Sequence, residues 1–155
     1  MDSKYKYIYS KQIEKEIDFI ATHFYKINKE QKLSICSFKK FVIDQIFNHT
    51  QLFLKNEDQL LKMINNFYNN DTKYSYMYEF VEFNEVSKKC LSNFLKSFNY
   101  NDLTEKVWNS FSNRLESNKS DNNTIKKHQY FGKFLPYHND TNLNGIINNF
   151  KIMKS

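Results

Sequence analysis

Only two glycines, Gly132 and Gly145, and one proline, Pro136, punctuate this chain of 155 residues. Loops that cradle phosphates, of the P-loop or dinucleotide-binding kind, need several glycines within one short stretch, so both are excluded. An enzyme assembled from helices without glycine turns would be unusual, and the expectation is a non-enzymatic protein. Gly132 and Pro136 fall together near the C-terminal end, so everything upstream must be organised by apolar periodicity and by side-chain caps.

That periodicity is helical. Ile13, Ile17, Ile20, Phe24 and Ile27 recur at spacings of four and three, with Ser10 as a candidate cap. A second helix is expected from Ser34 or Ser37, carrying Phe38, Phe41, Val42 and Ile46 on one face. Asn56 with Gln59 has capping-box spacing ahead of Leu60, Leu61, Ile64, Phe67 and Tyr68, and Asn69-Asn70-Asp71 ends that helix. Asn84 is a candidate cap for Val86, Cys90, Leu91, Phe94, Leu95 and Phe98. Asp102 with Glu105 precedes Leu103, Val107, Phe111 and Leu115, which repeat every four residues beside Trp108. Thr141 or Asn142 can cap a last helix with Leu143, Ile146, Ile147, Phe150 and Met153 inward.

One segment is ambiguous. Tyr74, Tyr76, Tyr78 and Phe80 alternate with Ser75, Met77, Glu79 and Val81 like a strand, yet Tyr76, Phe80 and Phe83 also fit a helical face. A lone strand has no partner elsewhere in the sequence, which favours the helix. The fold class expected is therefore all-α, one domain. A bundle of five or six helices over 1–117 is followed over 118–155 by a polar linker (SNKSDNNT), an extended aromatic and basic arm, and a short terminal helix.

Composition limits how much weight any cluster carries. Phe and Tyr number 15 and 11, Ala21 is the sole alanine, and Arg114 is the sole arginine among 23 basic residues. Lys, Asn, Ile, Phe and Tyr are what AT-rich codons specify, so lysine clusters arise here by coding bias alone. The net charge of +6 favours an anionic partner. The scarcity of arginine disfavours base-specific reading more than phosphate contact.

Catalytic and metal motifs are absent from the sequence. Cys36 and Cys90 read as buried free thiols. His23, His49, His128 and His138 stand in no metal-ligand pattern, and no metal or cofactor is expected. Asp44 with Glu57, or Glu79 with Glu82, read as solvated helix faces. The N-terminal MDSKYKYIYSKQIEKE is polar and unlike a leader, and no run approaches the ~18 apolar residues that span a bilayer. The expectation is a cytoplasmic protein, with the nucleus as the alternative, no membrane partner and no small-molecule substrate.

Two segments interleave lysine with aromatic rings, a pattern suited to neutralising phosphates while stacking on unpaired bases. One is N-terminal, with Lys4 and Lys6 alternating with Tyr5 and Tyr7. The other contributes Lys126, Lys127, His128, Tyr130, Phe131 and Lys133. These eight residues are the expected nucleic-acid-binding set, in a subunit or factor of a large, ribosome-like ribonucleoprotein. The rival expectation is a protein–protein adaptor that uses a tyrosine- and phenylalanine-rich surface and no nucleic acid. The opening EIDFIATHFYKI and FKKFVIDQIF resemble the first two helices of the BTG/Tob adaptor domain, but NHTQLFLKNEDQ replaces the Trp-, Pro- and Gly-containing block that follows them there.

Overall fold

The structure, a computed structural model, describes residues 3–116, 128–130 and 143–152, with side chains described at 10–116, 128–130, 144–148 and 150. In chain order its elements are α1 (Ser3–Thr22), α2 (Lys29–Cys36), α3 (Lys40–Phe47), β1 (Phe53–Leu54), α4 (Glu57–Asn70), α5 (Lys88–Ser97), α6 (Glu105–Glu116), β2 (Gln129–Tyr130) and α7 (Leu143–Ile152). Short 3-10 helices lie at Phe24–Lys26, Thr72–Phe80, Phe83–Glu85 and Tyr100–Asp102. The fold is all-α, with a single short parallel strand pair among the described residues. Two compact units are formed, one from Met1–Phe53 with Phe131–Ser155, the other from Leu54–Tyr130.

In the first unit α1 packs on α3 and α7, and α2 packs on α7. Helix α1 begins well before Ser10, which therefore lies inside the helix instead of capping it. Nothing between Ser3 and Ser10 breaks a helix, and an interior serine costs only a few tenths of a kcal/mol, roughly. The same helix takes up Lys4–Tyr9, so an edge strand there is ruled out. Ile17, Ile20, Phe24 and Ile27 are buried as their spacing requires. The helix expected from Ser34 or Ser37 is α3, which starts only at Lys40, and a separate helix, α2, precedes it. Asn28 and Gln31 form a capping box that starts α2, and Ser37 and Lys39 separate it from α3. This break rotates the face, so Val42, Ile43, Ile46 and Phe47 are buried while Phe41 stays 48% exposed. Phe38 meets Phe150 of α7 with ring centroids 5.1 Å apart.

The second unit is entered through β1 and left through β2, which are hydrogen-bonded neighbours. Helix α4 follows its sequence signature closely. The Asn56 side chain accepts the Gln59 N–H at 2.9 Å, and Leu60, Leu61, Ile64, Phe67 and Tyr68 are buried. The ambiguous tyrosine segment is a nine-residue 3-10 helix packed along α4, not a strand. Its three-residue period buries Met77, Tyr78 and Phe80 on the α4 side. Two caps differ from those expected. Ser87, not Asn84, caps α5, accepting the Cys90 N–H at 3.3 Å, because Phe83–Glu85 is a separate 3-10 turn. Thr104 accepts the Val107 N–H at the start of α6, while Asp102 is taken by the Tyr68 hydroxyl. The core of this unit is aromatic: Phe94 contacts Tyr78, Phe83, Phe98 and Phe111 at centroid distances of 4.9, 5.3, 4.7 and 5.7 Å.

Candidate functional site

Two features of the second unit hold chemistry, one polar and buried, the other apolar and open. The polar one starts at the first residue of α4. Glu57 occupies the same face as Leu60, Leu61 and Ile64 and is 0% exposed. Its Oε1 accepts the Glu82 N–H at 2.7 Å. Its Oε2 lies 3.1 Å from His128 Nδ1 and 2.9 Å from the Tyr130 hydroxyl. The same hydroxyl is 3.0 Å from Glu82 Oε2. His128 and Tyr130 flank Gln129 at the start of β2, and both reach Glu57. Burial, with the carboxylates of Glu57 and Glu82 adding to it, pushes the Tyr130 phenol well above its usual range. His128 is 3% exposed, and among the described residues its Nε2 has no hydrogen-bond partner.

Glu57 and Glu82 were expected on solvated faces, and both side chains instead turn toward His128 and Tyr130. The signal for Glu57 was in the sequence: it sits three and four residues before Leu60 and Leu61, on the buried stripe of α4. Glu82 was flanked by Val81 and Phe83, both of which are buried. Of the eight residues expected to contact nucleic acid, His128 and Tyr130 are the two whose side chains are described. Lys126, Lys127, Phe131 and Lys133 lie outside the described residues, as does His138. Lys4 and Lys6 fall in α1, with their side chains outside the described set.

The apolar feature lies between α5 and α6. Helix α5 packs on α4, whereas α6 packs on the 3-10 segments Thr72–Phe80 and Phe83–Glu85. Each is seated on a different support, and a groove of about 370 Å³ is left between them. Leu91, Phe98 and Phe111 form its half-buried floor. Its walls are Leu95, Tyr100, Leu103, Trp108 and Leu115, exposed by 58, 79, 39, 55 and 69%. Among the described residues only Leu33 and Phe41 are large hydrophobics of comparable exposure elsewhere. The stripe Leu103, Val107, Phe111 and Leu115 therefore divides: Val107 is core, and the ends of the stripe are open.

The rim is basic. Among the described residues Arg114 is the one charged residue lining the groove, and its guanidinium donates to the carbonyls of Phe83, Asn84 and Val86, the last at 2.6 Å. A second hollow of about 600 Å³ shares Leu91, Leu95, Arg114 and Leu115 with the groove and adds Lys88 and Lys96. Among the described residues no carboxylate lines either space.

Among the described residues no helix is long and apolar enough to cross a membrane. Comparison with protein-family models, with curated proteins and with solved structures finds no match to this chain.

Proposed function

We propose that the chain is a non-enzymatic protein-binding adaptor whose α5–α6 groove receives an amphipathic helix with acidic flanks from a partner protein. The observation that carries this reading is the concentration of uncovered Leu95, Tyr100, Trp108 and Leu115 around one concave strip. Contiguous exposed apolar surface of this kind marks interaction sites, and tryptophan and tyrosine are the side chains that most often anchor them. A groove between two helices accepts the apolar stripe of a third, at spacings of three and four residues. Lys88, Lys96 and Arg114 line the adjoining hollow and fit glutamates or aspartates flanking that stripe. The ribonucleoprotein reading draws its support from net charge and from the lysine–aromatic segments, and becomes an outcome of the test.

The test uses the emission of Trp108, the sole tryptophan. The probes are a synthetic amphipathic helix with glutamates flanking a leucine stripe, its lysine-flanked counterpart, single-stranded RNA and anionic lipid vesicles. The acidic helix is expected to shift the emission to the blue and to bind at least about tenfold more tightly than the basic one. The Leu95→Asp substitution should abolish the effect. Equal binding of both helices, or a shift produced by RNA or vesicles alone, would overturn the reading.

A further inference from the structure

We infer that the hollow adjoining the groove is a phosphate pocket, which seats a phosphoserine or phosphothreonine at one end of the partner helix. This rests on the adaptor reading and specifies which anion the lysines meet. Helix α5 sets the arrangement. Leu91 and Leu95 line both spaces, and Phe98 continues along the groove alone. Lys88, Ser92 and Lys96 line only the hollow. At positions i, i+4 and i+8 these three share one face of the helix, with the two lysines roughly 12 Å apart along its axis. The short serine between two long side chains leaves the space that the lysines border.

Lysine is abundant along the whole chain, but these two stand in different surroundings from the others. Lys40, Lys73 and Lys106 are paired with Asp44, Asp71 and Glu79, whereas among the described residues neither Lys88 nor Lys96 makes an ion pair. Glu85 and Glu116 adjoin lining residues in sequence, and neither lines the hollow. Two ammonium charges match the charge of about −1.5 to −2 that a phosphate monoester carries at neutral pH, which a single carboxylate does not supply. The three acceptor oxygens of the phosphate answer the two ammonium groups and the Ser92 hydroxyl. The cations also lie toward one end of the groove. Of α6 only Arg114 and Leu115, near its last turn, line the hollow. Tyr100, Leu103 and Trp108 belong to the groove alone and carry no charge. A helix lying in the groove therefore meets the lysines with one flank and apolar surface with the other.

The probes are leucine-stripe helices with serine, phosphoserine or glutamate at either the N-terminal or the C-terminal flank. They are titrated against the full chain while Trp108 emission is followed. At one flank phosphoserine should bind at least about tenfold more tightly than serine and about threefold more tightly than glutamate. At the other flank its gain over serine should stay below about twofold. Lys88→Gln combined with Lys96→Gln should cut the phosphoserine gain to less than about twofold. Lys89→Gln, at an exposed position that lines neither space, should preserve the gain. Phosphoserine binding no tighter than serine or glutamate, an equal gain at both flanks, or a gain that survives the paired lysine substitution would overturn the inference and leave the adaptor reading standing. Binding by none of the helices would overturn both.

Discussion

Tyr130 and Glu57 meet through a hydroxyl and a carboxylate 2.9 Å apart, across 73 positions of sequence. That contact fastens β2 to the first turn of α4, and Glu57 fastens the Glu82 backbone and His128 as well. Replacing Glu57 by Ala would strand the Glu82 N–H and the His128 imidazole in the interior. We expect a loss of about 3 kcal/mol or more in chemical denaturation, since removing one partner of a buried pair leaves the other uncompensated.

Phe94 and Trp108 are both aromatic residues on helices of the second unit, yet substitution should treat them oppositely. Phe94 is 0% exposed and touches four other rings, so Phe94→Ala should cost about 3–5 kcal/mol. Trp108 stands 55% exposed on the groove wall. Trp108→Ala should change stability by no more than about 0.5 kcal/mol, as other surface replacements do, while weakening binding of the acidic helix. Paired denaturation curves and binding isotherms check both halves.

The Asn56 cap is a local test of how α4 is started. Its Oδ1 accepts the Gln59 N–H at 2.9 Å. Asn56→Ala should lower stability by about 1 kcal/mol, and Asn56→Ser should recover most of it.

Alkaline pH should unfold the second unit earlier than tyrosine-free packing would. Tyr78 is buried, and that burial, reinforced by the nearby charges of Tyr68 and Asp102, holds its phenol well above the usual value. In the unfolded chain the phenol ionises near pH 10. Above that pH the unfolded state releases a proton that the folded state keeps. The contribution is thus fully present below about pH 10 and is lost as pH rises beyond it. Melting temperatures measured between about pH 8 and 11 should fall at the upper end, and Tyr78→Phe should flatten the decline.

How much of this was legible in the sequence depended on whether local signals were enough. Asn56 with Gln59, followed by a stripe at spacings of three and four, fixed α4 from cap to stop, because capping and amphipathicity are short-range properties. The Asn28–Gln31 box was equally local but was passed over, and α2 with it. Tyr74–Phe80 reads like a strand because its aromatic residues stand at alternate positions, whereas the 3-10 helix it forms buries residues at a three-residue spacing, Met77 with Phe80. The polar cluster was another matter. Glu57 stands on the apolar stripe of α4, which is a local signal, but the partners that hold Glu57 and Glu82, His128 and Tyr130, are distant in sequence. The groove was half legible. Leu103, Phe111 and Leu115 were visible as a stripe, but only the separate seating of α5 and α6 decides which of them is left uncovered.

The most direct test of the adaptor account is a reciprocal charge exchange at the rim of the groove. Lys88 and Lys96 are replaced by glutamate, and the glutamate-flanked and lysine-flanked helices are titrated against both proteins while Trp108 emission is followed. The account predicts that the substituted protein loses the acidic helix by about tenfold or more and gains the basic one to a similar degree. If the exchange leaves both affinities unchanged, the groove is not reading acidic flanks and the central claim is wrong.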